Sequence, residues 1–138
     1  ALGDQMPEDV WLGTRYWFDA YDNPMNKRFV SAYAKRYGKP PSYNAEGAYA
    51  AVHAYKTAIE KAGSTDGTAI ARALSGLSVA TPMGDVVFRA GDHQTLVGPT
   101  WGRSGPMDTR FDIRSLTDVH VFDGADVTPP VSQTGCSL

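Results

Sequence analysis

Apolar residues recur at helical spacing in the first half of the chain. Phe29, Tyr33 and Tyr37 lie four residues apart, which places their side chains on one face of a helix. Asn23 is a suitable N-cap for this helix, and Gly38 can adopt the left-handed conformation that ends it. The pattern therefore predicts a first helix between these two residues.

Two further helices are predicted after the first along the chain. Ser42 or Asn44 can cap a long second helix, which Gly63 would end. A shorter third helix is predicted within residues 64–77, with Ile70 in its buried face. The face of the second helix that we expect to be buried carries Ala45, Ala48, Tyr49, Val52, Tyr55 and Ile59.

Short segments rich in β-branched and aromatic residues precede and follow the helices. Residues 10–18 predict a first strand, and residues 86–88 predict a second. A turn behind residue 88 would let residues 94–103 return as the partner strand. Residues 111–116 and 120–124 predict further strands. Because strands come in two separate blocks with no alternating β-α-β run, a self-contained α/β sheet is difficult to build from this order.

Composition and charge narrow the classes of function. The chain has 138 residues, which suits one domain, and its net charge is −2. Its longest basic runs are the pairs Lys27-Arg28 and Lys35-Arg36, which give little support for a nucleic-acid or anionic-membrane surface. No apolar stretch approaches the roughly 20 residues that span a bilayer. Cys136 is the only cysteine, which excludes an internal disulfide and a cysteine-based zinc site.

Asp92, His93 and Gln94 form the most conspicuous group of reactive side chains. A catalytic histidine needs a carboxylate oriented across space, whereas neighbouring residues on a strand point to opposite faces. Neither His53 nor His120 has the spacing of a paired metal ligand, and no catalytic or metal site is predicted. The preferred interpretation is a turn with local hydrogen bonds. A small acid–base enzyme that uses His93 is the weakest alternative.

Five aromatic residues lie close to the ends of predicted elements. Aromatic residues at such positions are usually part of a core, but ligand pockets lined by rings need them there as well. Both interpretations are open at this point. The five residues are Tyr16, Trp17, Phe18, Tyr21 and Tyr43.

The order of several short motifs resembles one known family. YGKPP ends the first predicted helix, EKAGSTDG ends the second, GDVVF forms the next strand, and DHQ follows it. This order over residues 23–94 resembles the type I periplasmic solute-binding proteins of ABC transporters. More narrowly, it resembles the subunits that bind branched-chain amino acids (leucine, isoleucine and valine). The final GCSL also recurs in that family.

The resemblance implies an α/β fold and covers only the C-terminal part of the family's two-lobed chain. Residues 1–20 would be the end of the second lobe and a hinge crossing. Residues 21–80 would be helices of the first lobe. Residues 81–138 would be the return hinge, a hairpin and the C-terminal strands of the second lobe. The absence of an initiator methionine and of a signal segment agrees with a processed chain or an excised piece.

The function that the resemblance implies is capture of a solute outside the cytoplasm, without a catalytic step or a cofactor. The solute would be a small carboxylated compound, such as a branched-chain amino acid, an amide or an aromatic acid, delivered to the membrane subunits of an ABC permease. Ligand-stabilised closure of the lobes would be the mechanism. The alternative is a ligand-sensing receptor domain of the same fold.

Matching positions imply that the ligand site includes Tyr43, Asn44 and Glu46, at the start of the second helix. The ring would cover the apolar part of the solute, and Asn44 or Glu46 would bind its polar end. Tyr16 and Trp17, near the first hinge, are weaker candidates, and the Asp-His-Gln turn would be structural.

The chain by itself is expected to leave apolar helix faces uncovered. These faces would cover a sheet that lies elsewhere in the family's chain, so we expect self-association or contact with the remainder of that chain. They carry Phe29, Tyr33, Tyr49, Val52, Ile59 and Leu74.

Overall fold

Helices and two small antiparallel sheets form the part of the chain that is described. The structure is a computed structural model that describes residues 5–136. Within these residues one sheet has the strand order β1-β4-β5, and the other is the hairpin β2-β3. In chain order the elements are β1 (Trp11–Thr14), α1 (Pro24–Tyr37), α2 (Tyr43–Ala62), α3 (Gly67–Leu74), β2 (Ser78–Thr81), β3 (Gly84–Val87), β4 (Thr100–Asp108), β5 (Ile113–Val121), α4 (Gly124–Val127) and a 3₁₀ turn (Val131–Gln133).

Local capping determines the ends of the helices. The Asn23 side chain accepts a hydrogen bond from the Asn26 amide at 2.8 Å, and Gly38 has φ 67°, so the predicted first helix is confirmed at both ends. Ser42, and not Asn44, caps α2 and accepts from the Ala45 amide at 3.3 Å. The three predicted helices are all present.

The strands depart from the predictions in extent and partners. The predicted strand 10–18 is limited to Trp11–Thr14, because the chain behind it turns inward and buries Tyr16 and Phe18. The predicted return strand is confirmed only at its start, where Phe88 meets Thr95 in an antiparallel bridge and the Leu96 amide donates to the Val87 carbonyl at 3.0 Å. Its later part, residues 100–103, pairs with β1 and β5 instead. The two strands predicted within residues 111–124 form one long strand, β5.

The true partner of β3 is β2, which the pattern of the sequence did not reveal. Ser78 pairs with Val87 and Thr81 pairs with Gly84. The Thr81 hydroxyl donates to the Gly84 carbonyl at 2.8 Å and accepts from the Met83 amide at 3.1 Å. Gly84 has φ 105°, a conformation that glycine adopts without strain. The turn residues themselves therefore close this hairpin.

The buried residues form two clusters. Tyr16 and Tyr21 stack with ring centroids 5.6 Å apart, and Phe18 and Phe29 complete the first cluster. The second cluster joins α2 to α3 through Ala58, Ile70 and Ala73. No helix within residues 5–136 has the length and apolar character needed to cross a membrane.

The predicted buried face of α2 is wrong in part. Val52 and Tyr55 are 69% and 58% exposed, whereas Glu46, Ala54 and Ala58 are buried. Small alanines face α3 and the β2-β3 hairpin because they permit close approach. Val52 and Tyr55 point outward, whereas Tyr49 and Ile59 are partly buried against the two clusters. Self-association through the exposed residues stays a prediction.

Candidate functional site

A cavity of about 240 Å³ lies between α2 and the β2-β3 hairpin. Its walls are mostly apolar, and its polar groups include one acidic and one basic side chain. This combination is typical of small-molecule sites, where a few polar groups orient a ligand against apolar walls. The cavity is lined by Arg15, Tyr43, Glu46, Gly47, Ala50, Ala51, Ala54, Val79, Thr81, Met83, Val86, Phe88, Thr95 and Val97.

Small residues on one face of α2 create the space for this cavity. Gly47, Ala50, Ala51 and Ala54 follow helical spacing along this wall, so their side chains lie on neighbouring parts of one surface. A Cβ atom added at Gly47 would meet no heavy atom within 4 Å. The backbone of the helix is therefore accessible along this wall.

Glu46 is the buried charged group of the cavity. Its residue is 5% exposed, and its Oε1 atom is buried without a hydrogen-bond partner in residues 5–136. Burial raises the pKa of the Glu46 carboxyl to about 7, because a charged carboxylate is costly away from water. The positive charge of Arg15 acts in the opposite direction and lowers this pKa.

A hydrogen-bonded network lies in the neighbouring aromatic core. The Tyr16 hydroxyl donates to Asn26 Oδ1 at 2.6 Å, and the Tyr21 and Thr100 hydroxyls lie 2.9 Å apart. Asn26 Nδ2 donates to the carbonyls of Phe18 and Tyr21, each at 2.8 Å. Burial raises the pKa of both tyrosines. We call Tyr16, Tyr21, Asn26 and Thr100 the Asn26 network.

The structure distributes the five predicted site residues over two places. Tyr43 and Glu46 line the cavity. Tyr16 and Trp17 line a second, more open depression beside Pro40 and Pro41, and Tyr43 contributes to that depression as well. Asn44 is exposed and lines neither of them.

Several lining residues were missed when only the sequence was considered. Arg15 interrupts an apolar and aromatic segment, a signal that could have identified it. Thr81 precedes the Pro-Met-Gly turn that closes the hairpin, so a closer analysis of turn residues could have placed it. Thr95 and Val97 reach the cavity only through tertiary folding, and no local signal indicates it.

The Asp92-His93-Gln94 segment forms a turn, and none of its three residues lines the cavity, although the next residue, Thr95, does. Asp92 accepts from Arg89 Nε at 2.9 Å and from the Gln94 amide at 3.2 Å, and the hydrogen bond from Arg89 lowers the pKa of Asp92. His93 is exposed with φ 58°. The predicted structural turn is confirmed. Residues 5–136 contain no group of three or more side chains suited to a metal ion.

The α/β fold corresponds to part of the type I periplasmic binding protein fold. The sequence model described as periplasmic binding protein matches residues 3–101, and the chain belongs to that family. No curated protein sequence matches the chain significantly.

Solved structures of transporter components share this fold. An ABC-type branched-chain amino acid transporter protein from Rhodopseudomonas palustris has 30% identity and a TM-score of 0.79, over 90% of this chain and 33% of that chain. A leucine-, isoleucine-, valine-, threonine- and alanine-binding protein from Brucella ovis has 25% identity and a TM-score of 0.73, over 94% and 35%.

A solute-binding protein from Rhodopseudomonas palustris was solved in complex with 3,4-dihydroxybenzoic acid. It has 25% identity and a TM-score of 0.69, over 91% of this chain and 36% of that chain. The chain thus spans about a third of the length of these relatives.

Proposed function

We propose that the chain is part of an extracytoplasmic solute-binding subunit that captures a small solute and delivers it to an ABC permease. The observation that carries the proposal is the mostly apolar cavity with Glu46 in its wall and Arg15 beside it. Membership of the periplasmic binding protein family supports the same role.

The solute that suits this cavity is a small carboxylated compound with an apolar body. Arg15 offers a fixed positive charge and a planar set of donors that match a carboxylate. The ring of Tyr43 covers the apolar part of the solute, and Glu46 takes a polar group. The relatives include proteins for aliphatic amino acids and one in complex with an aromatic acid, so we keep branched-chain amino acids, amides and aromatic acids in the proposed class.

The remaining predicted site residues receive supporting roles in this proposal. Tyr16 and Trp17 form the wall of the depression that Tyr43 shares. Asn44 is exposed at the start of α2 and would contact a solute only after closure. We therefore place the primary contacts at Arg15, Tyr43 and Glu46.

The mechanism we propose is ligand-stabilised closure of two lobes. Residues 1–20 and 81–138 would belong to the second lobe and residues 21–80 to the first. Pairing of β1 with β4 across the chain supports a common unit for the first and last segments. The β2-β3 hairpin includes residue 81, and both of its strands line the cavity, which supports a position of the cavity beside the return hinge that we propose. A solute that binds the closed form more tightly shifts the population towards it.

A pair of tyrosine variants tests the proposed site. We expect Tyr43→Ala to weaken binding of L-leucine or 3,4-dihydroxybenzoic acid by about tenfold or more, equivalent to about 1.4 kcal/mol. Titration calorimetry on the two-lobed subunit of which we propose this chain to be a part measures this. Tyr37→Ala is the matched control, because Tyr37 is also exposed and lies outside the cavity lining. Equal losses in the two variants would contradict the site.

A further inference from the structure

The first helix and the residues that end it carry a concentration of positive charge that the proposed solute site does not use. Residues 24–39 contain five of the chain's 13 basic residues and no acidic residue, although the whole chain has a net charge of −2. The two basic pairs, Lys27-Arg28 and Lys35-Arg36, both lie in α1, and Lys39 follows the glycine that ends it. The rest of the chain therefore has a negative net charge.

Helical geometry places these charges on one side of α1. Arg28 and Lys35 are seven residues apart, which is close to two turns, so their side chains lie along one line of the helix surface. Lys27 and Arg36 flank this line on either side. Phe29 is directed away from it and is buried in the first cluster. The short basic runs in the sequence gave little support for an anionic surface, but the helix brings them together.

Most of these cations are exposed and have no acidic partner in the described part of the chain. Lys27 is paired with Asp22. The other four are exposed and form no ion pair within residues 5–136. They line neither the cavity beside α2 nor the open depression beside Pro40 and Pro41. We call these four residues the basic face: Arg28, Lys35, Arg36 and Lys39.

We propose that the basic face binds the anionic headgroups of a lipid surface and so orients the subunit on the membrane. This interaction goes beyond the capture of a solute that we propose above. Each Lys or Arg close to an anionic membrane strengthens binding roughly fivefold, so four exposed cations give a reversible attachment. The negative net charge of the remainder is repelled by the same surface, so only this side of the chain is attracted.

The shape of the basic face suits a lipid surface better than an acidic peptide. Peptides are typically bound in a groove or at a sheet edge, whereas the basic face is the outer side of a helix. Lipid headgroups move laterally and can match cations that are spread over such a surface. Tyr37 is 54% exposed at the end of α1 and accepts from Arg36 Nε at 3.2 Å. Exposed tyrosines are enriched at membrane–water interfaces.

Binding to vesicles tests the proposal on the two-lobed subunit of which we propose this chain to be a part. The probes are phosphatidylcholine vesicles with and without about 30% phosphatidylglycerol, and cosedimentation measures the bound fraction. We expect binding only to the anionic vesicles at about 30 mM salt, and its loss at about 300 mM, because salt screens exposed charges. Equal binding to both kinds of vesicle, or binding to neither, would overturn the proposal.

Matched arginine variants assign the binding to the basic face. Arg28→Gln should weaken binding to the anionic vesicles about fivefold, and addition of Lys35→Gln should extend the loss to about tenfold or more. Arg72→Gln is the control, because Arg72 is an exposed arginine on α3, and its effect should stay within about twofold. Circular dichroism checks that the variants fold. Equal losses in Arg28→Gln and Arg72→Gln would contradict the role of the basic face.

The outcomes separate this inference from an acidic protein partner and from the proposed function. If no vesicles are bound but the double variant slows solute transport by the reconstituted permease, the lipid proposal is overturned and an acidic protein surface is the partner. If anionic vesicles are bound through the basic face but neither L-leucine nor 3,4-dihydroxybenzoic acid is bound, the inference stands and the proposed solute capture is contradicted.

Discussion

Two neighbouring regions both bury polar side chains, but they differ in whether those side chains have hydrogen-bond partners. In the Asn26 network each buried hydroxyl or amide meets a partner from the same chain, at distances from 2.6 to 2.9 Å. In the cavity, Glu46 is equally buried but leaves Oε1 without a partner in the described residues. A satisfied network stabilises one conformation. An unsatisfied carboxyl in a cavity is suited to a ligand that completes it.

The difference has a simple origin in neighbouring residues. Asn26 lies next to backbone carbonyls of residues 18 and 21 and a tyrosine hydroxyl, so its amide and oxygen find complementary atoms. The cavity wall around Glu46 is mostly apolar, and none of the side-chain donors that also line it forms a hydrogen bond with Oε1 in the described residues. Burial alone therefore does not distinguish a structural polar residue from a binding residue. The availability of partners does.

The largest expected effect is a loss of stability when the Asn26 network is disrupted. Asn26→Ala removes three side-chain hydrogen bonds and leaves the Tyr16 hydroxyl and two carbonyls unpaired. We expect the free energy of unfolding to fall by about 3 kcal/mol or more, as measured by urea denaturation. Asn44→Ala is the control, because Asn44 is exposed, and it should change stability by less than about 0.5 kcal/mol. Similar losses in both variants would refute the contrast.

An intermediate effect is expected at Glu46, whose protonation should make the free energy of unfolding depend on pH. The pKa of Glu46 rises from 4.5 to about 7 on folding, so the folded state binds the proton more tightly than the unfolded state. The stabilisation from this proton is complete below pH 4.5 and disappears as the pH rises to about 7. Arg15 acts on Glu46 through its positive charge. Tyr16 and Tyr21 also interact with Glu46, and because burial raises the pKa of both tyrosines they stay neutral in this range.

Denaturation at several pH values measures this effect. In Glu46→Gln the free energy of unfolding should no longer decline between pH 4.5 and 7. At pH 8 this variant should be more stable than the unmodified chain by about 2 kcal/mol. The comparison cancels contributions from histidines, which both proteins share. Parallel pH profiles for the two proteins would show that Glu46 titrates normally.

The smallest effect is expected in the Asp92-His93-Gln94 turn. His93 is exposed and lies outside the lining of the cavity, so His93→Ala should leave the affinity for L-leucine within about threefold, less than 1.4 kcal/mol. Calorimetry with Tyr43→Ala as the positive control measures it. A tenfold loss in a folded His93→Ala variant would assign this turn to the binding site.

Local chemistry in the sequence determined the helices and the polar turn. Asn23, Ser42 and the glycines at positions 38 and 63 act on backbone groups within four residues. Such short-range interactions can be predicted from neighbours alone. The order of the motifs also identified the family, because it reflects a long stretch of chain and not one residue.

Tertiary structure decided the strand partners and the role of Glu46. β1 pairs with β4, about ninety residues away, as in Trp11 with Arg103, and no local signal encodes a pairing over that distance. α2 has apolar residues on more than one face, so its periodicity could not show that the face with Glu46 and Ala54 is buried. Burial and the absence of a partner depend on which distant segments meet, and Arg15, Val79 and Glu46 come together only when the chain has folded.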